Sequence, residues 1–168
     1  SVSTAIYLSV VIIGGAPLGI AVSLPAILSS EFLIRGTGLE ESSQVWLAAQ
    51  KVAFNTSQGI ISVTAASLVF KSIGGHSPPF TLPYDYLPPF VAFWTFILVN
   101  ISLVSGIISL SEGKSFFYQL NLNLRDLHLQ FFSLGVIALL IAIIYSTSPW
   151  NVFLVVILLL LVNASVKG

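Results

Sequence analysis

Long apolar runs separated by short polar gaps dominate this chain, and few folds can accommodate them. An ordinary soluble domain is about 25% charged. Here only 7% of residues are charged, 56% are hydrophobic, and mean hydropathy is +1.00. So few polar groups cannot cover a water-facing surface, so the bilayer is the expected solvent. Hydrocarbon offers no partner to a backbone N–H or C=O, and runs of this length therefore form helices that bond internally. The expected fold is all-α: a multi-pass transmembrane helical bundle in a single integral membrane domain, residues 1–168. It has five spans, with four as the alternative, and one interfacial amphipathic helix.

The predicted spans cover residues 5–28, 45–70, 89–110, 129–145 and 149–165. The first would reach roughly 36 Å if straight, enough to cross at a tilt. Gly14, Gly15, Pro17, Gly19 and Pro25 interrupt it. Pro17 lacks a backbone donor, so a kink is expected. Gly15 and Gly19 form a GxxxG pair that lets a second helix approach. Either this is a kinked packing helix, or it is a broken helix whose freed backbone groups line a site. The last apolar stretch, from Leu129 to Val166, would measure about 57 Å as one helix, too long for the hydrocarbon core. The polar run from Ser146 to Asn151, with Pro149 inside it, divides it in two.

Span two carries the clearest internal pattern. Gln44, Lys51, Asn55, Gln58 and Ser62 recur at helical spacing and share one face. Polar groups in lipid need partners, so this face turns toward other helices or water. It reads as interhelical hydrogen-bonding with a snorkelling Lys51, or as the wall of a polar path. Glu31, expected on the same side of the membrane, is a candidate ion-pair partner for Lys51. Asn100 in span three is the candidate cross-helix partner of Asn55 or Gln58.

Two links have character of their own. Residues 72–87 read SIGGHSPPFTLPYDYL. Pro78 and Pro79 favour an extended path, and Tyr84 and Tyr86 suit the lipid–water boundary. This loop lies on the headgroups or docks a partner, and His76 reads as a surface histidine. In the link at 111–128, Phe117, Leu120, Leu124, Leu127 and Phe131 keep a helical period. That period predicts an amphipathic helix lying in the interface.

Charge and composition remove several functions. Six basic residues balance six acidic ones without a basic patch, so nucleic-acid binding is not expected. Without cysteine there is no thiolate metal site, disulfide or thiol catalysis. The chain begins at Ser1 and has no Met, which points to a removed start Met or leader. The histidines, His76 and His128, both lie in links, so no cofactor bound by the chain's own residues is expected. Contact with lipid or a quinone is compatible with the composition. Five spans place Arg35, Lys51, Lys114, Arg125 and Lys167 on one side and Lys71 on the other. By the positive-inside rule the C-terminus is then cytoplasmic and the N-terminus outside, in the cell membrane.

These features point to a non-catalytic accessory subunit of a larger membrane complex. Its expected partners are the bilayer and other integral membrane subunits. A respiratory or other electron-transport, energy-transducing assembly is the expected setting. A self-assembling structural membrane or envelope protein is the first alternative. A small carrier or channel with a polar path along span two is the second.

Overall fold

The computed structural model describes residues 2–35, 42–81, 83–125, 128–148, 150–152, 154–155 and 157, with residues 2–4, 26–27, 30–35, 42–45 and 128–134 described as backbone only. Five helices follow in order: α1 (Val2–Arg35), α2 (Ser42–Ser72), α3 (Leu87–Glu112), α4 (Phe116–Arg125) and α5 (His128–Thr147). A 3-10 turn, Pro83–Tyr86, leads directly into α3. Among the described residues, three stretches are long and apolar enough to cross a membrane: Ala5–Pro25, Trp46–Ser72 and Pro83–Glu112. No strand occurs among the described residues. The architecture is an apolar, all-helical assembly compatible with membrane integration.

α1 is not the single tilted rod that its apolar length suggests. Gly15 has φ 73° and ψ −167°, a conformation essentially restricted to glycine. The chain turns there, dividing α1 into arms at 2–14 and 16–35. A Cβ on Gly19 would lie only 3.9 Å from the Cα of Val11. Along a straight helix, eight residues would separate the two by about 12 Å. At roughly 20 Å, the first arm is too short to cross alone. The second arm runs antiparallel to α2, with Gly19 against Val63 and Gly15 against Ser67.

α2 ends in a Schellman motif. The Gly75 N–H donates to the Phe70 carbonyl and the Gly74 N–H to that of Lys71, with Gly74 at φ 81°. α3 begins with Pro88 and Pro89, which cost little in a first turn because those N–H groups would have no helical acceptor. It returns antiparallel to α2, with Gln58 opposite Asn100.

α4 then runs back along α3, Asn123 meeting Ser105, while α5 packs chiefly against α1 and touches α3 where Gly135 meets the Phe93 ring. Within the link at 111–128, residues 116–125 are helical as the period predicts, and this helix packs on α3. Gln119 is buried, while Phe117 is 77% exposed. The bond from Asn123 to Ser105 on α3 contributes to this seat beside the apolar stripe. α5 covers the fourth predicted span and stops at Thr147, where the polar run divides the last apolar stretch. The fifth predicted span lies largely outside the described residues. The core gathers Leu8, Val11, Val63, Ala66, Phe93 and Ile97, with Ala138 and Ala142 of α5 closing one side.

Candidate functional site

The polar face of α2 passes from exposed to buried along the helix. Lys51 is exposed, Asn55 is half-buried and partnered, and Gln58 and Ser62 are buried. Gln58 Nε2 donates to the backbone carbonyl of Asn100 at 3.3 Å, not to the Asn100 side chain. The Ser62 hydroxyl is fully buried and has no hydrogen-bond partner, as is the case for the Thr56 hydroxyl. One turn further along α3, Ser105 is fully buried and accepts from Asn123 Nδ2 at 2.8 Å. Polar groups thus link α2 to α3 and α3 to α4. The Glu31 side chain, and with it the expected ion pair, lies outside the described ones.

A second constellation surrounds the break in α1. Pro17 cannot donate to the carbonyl of Ile13, its partner four residues back. Ser77, from the proline-rich loop, supplies the missing donor. Its hydroxyl lies 2.7 Å from the Ile13 carbonyl and 3.3 Å from that of Ile12. The aliphatic end of Lys71 passes over Gly15, its Cε 3.3 Å from where a Cβ would stand and its Nζ 3.4 Å away. This places a cation beside the negative end of the first arm and in the last turn of α2, both favourable. Gly15 and Gly19 therefore serve packing within the chain. Gly19 meets Val11 and Val63, whose methyl groups lie 2.8 and 2.9 Å from the position of an added Cβ.

The loop is pinned from within. Phe80 stands edge-on to His76 and to Tyr86, with ring centroids 5.8 and 5.2 Å apart. Pro78 is half-buried, whereas Pro79, Tyr84 and Tyr86 are exposed. Asp85 is buried; its Oδ2 accepts from the Thr81 N–H at 2.8 Å and Thr81 Oγ1 at 3.4 Å. His76 Nε2 lies 3.5 Å from Asp85 Oδ1, and His76 Nδ1 lies 3.0 Å from the Ser77 carbonyl. The Ser77 carbonyl, and then the Asp85 carboxylate, hold the His76 imidazole above its ordinary pKa. The sequence reading of a plain surface histidine misses this pairing. The nine-residue separation of His76 and Asp85 carries no regular period that would reveal it.

Among the cavities between described residues are two that lie against α1 and α5. One, of about 170 Å³, lies between the first arm of α1, the start of α3 and α5, lined by Leu8, Ile12, Phe93, Val136 and Leu139 among others. The other, of about 200 Å³, lies between the two arms of α1 and Ile141 and Tyr145 of α5. The first is walled by hydrocarbon side chains. Among the described residues, no three His, Asp or Glu side chains gather as a metal site. No family model, no curated protein and no solved structure matches this chain.

Proposed function

We propose that this chain is a non-catalytic accessory subunit that packs beside a larger catalytic membrane core. The observation that carries this reading is the engagement of its interior polar groups with each other. Gln58 bonds the Asn100 backbone and Asn123 bonds Ser105, so they tie helices together instead of lining an open path. Outward-facing Trp46, Leu68, Leu98 and Leu110 offer apolar surface to lipid or to neighbouring helices. The setting we favour is an energy-transducing or respiratory complex of the cell membrane, where electron transport belongs to other subunits. The hydrocarbon-walled cavity by Phe93 suits contact with a lipid or quinone tail. The loop at 73–81 is placed outside and the α3–α4 turn and C-terminus in the cytoplasm, following the distribution of Lys and Arg.

Purification in mild detergent followed by subunit mass spectrometry tests the reading. Fixed stoichiometry with cofactor-bearing membrane subunits supports it. A homogeneous lattice of this chain alone overturns it in favour of a structural membrane protein. The unpartnered hydroxyls of Ser62 and Thr56 favour the carrier reading instead. Solute flux in liposomes containing this chain alone, lost in Lys51→Ala, would establish that reading and remove the accessory one.

A further inference from the structure

His76 touches two acceptors at once: the Ser77 carbonyl through Nδ1 and the Asp85 carboxylate through Nε2. A neutral imidazole carries a single N–H. With the proton on Nδ1, the Nε2 lone pair faces a buried carboxylate. With the proton on Nε2, the Nδ1 lone pair faces the carbonyl. Only the imidazolium donates to both. Ser77 is also the residue whose hydroxyl covers the Ile12 and Ile13 carbonyls at the α1 break. Asp85 sits two residues before the start of α3.

We propose that His76 is a proton-operated latch: as imidazolium it ties Ser77 to Asp85 and clamps the loop at 73–81 across the break in α1 onto the start of α3. Loss of the proton releases the clamp on one side, and the loop loosens from the α1 carbonyls.

The charged surroundings are few. Asp85 is the acid facing His76, and the 3-10 turn also brings Tyr84 and Tyr86. α2 contributes Lys71, whose ammonium lies over Gly15. The first arm of α1 and the first turns of α3 contain no charged residue, Tyr7 being the one titratable group on that arm. Asp85 is thus the acidic partner through which His76 can act.

The test uses the full chain in lipid nanodiscs, from about pH 5 to about pH 8, the range over which histidine titrates. His76 is followed by nitrogen NMR, and amide exchange of the loop is compared with that of His76→Gln at the same pH. The comparison cancels the intrinsic pH dependence of exchange. The expected result is a His76 titration above the ordinary value of about 6.5. Loop amides should exchange several-fold more slowly than in His76→Gln at the acidic end, and no more slowly at the basic end. Asp85→Asn should lower the His76 titration and remove the difference. Should Asp85→Asn fail to fold, Ser77→Ala serves: it keeps the Ser77 carbonyl, so His76 still titrates above the ordinary value, while the slowing of exchange by protonation should shrink because the hydroxyl bond to the α1 carbonyls is gone. A wild-type loop whose protection relative to His76→Gln is the same at both ends of the range overturns the latch. So does a His76 that titrates at or below the ordinary value.

Discussion

Single residues set the most unusual geometry in this chain. Gly15 occupies backbone space that costs other residues about 1–3 kcal/mol. An added Cβ would also press on Lys71 Cε at 3.3 Å. Gly15→Ala should therefore destabilise the fold by about that amount in SDS-driven unfolding from mixed micelles. Gly106 is the contrasting case, in α3 with open space where its Cβ would stand. Gly106→Ala should be neutral or stabilise by up to about 1 kcal/mol through helix propensity. His76 gives the pH dependence at this scale. Its folded-state pKa is raised, first by the Ser77 carbonyl and then by Asp85. The associated stability is fully present below the unfolded value of about 6.5 and disappears as pH rises through the higher folded value. Thermal melts should thus separate wild type from His76→Gln at mildly acidic pH and converge in alkali. The composition shows the scarcity of such groups. It does not show that His76 and Asp85 meet, because that depends on how the loop folds against the 3-10 turn.

At the level of elements, helix ends are legible locally and helix partners are not. The Gly74–Gly75 pair stops α2, Pro88 and Pro89 open α3, and the polar run at 146–151 stops α5. Each signal acts within a few residues, by removing a donor or allowing a left-handed turn. α4 shows the limit of periodicity. Its spacing announces a helix, but its seat on α3 depends on Asn123 reaching Ser105. A double-mutant cycle with Asn123→Ala and Ser105→Ala should yield a coupling of about 0.6 kcal/mol, with about 1.7 as the upper range for such bonds in membranes. Zero coupling would mean that apolar contacts alone seat α4. α1 teaches the complementary point. Its apolar length reads as one span, and Pro17 announces a kink. The fold-back is larger than a kink because Gly15 and Pro17 act together and Ser77 satisfies the carbonyl they expose.

For the whole molecule, the testable consequence is sidedness. The positive-inside distribution puts the loop at 73–81 outside and the α3–α4 turn in the cytoplasm. The natural chain has no cysteine, so single-cysteine variants can be made without removing any. A cysteine at the exposed Ile73 should react with an impermeant maleimide in intact cells, and one at Lys114 only after permeabilisation. The reverse pattern would invert the topology. The sequence by itself determined the apolar, membrane-compatible character, the helical class and most helix ends. Apolar composition and local chain chemistry suffice for these, since each depends on neighbours along the chain. Tertiary structure alone decided which polar groups meet. Ser77 caps a carbonyl 64 residues away, and Gln58 bonds a backbone group 42 residues away. A hydrogen bond requires about 3 Å and a direction, and only the packing of whole helices brings such distant groups to that separation.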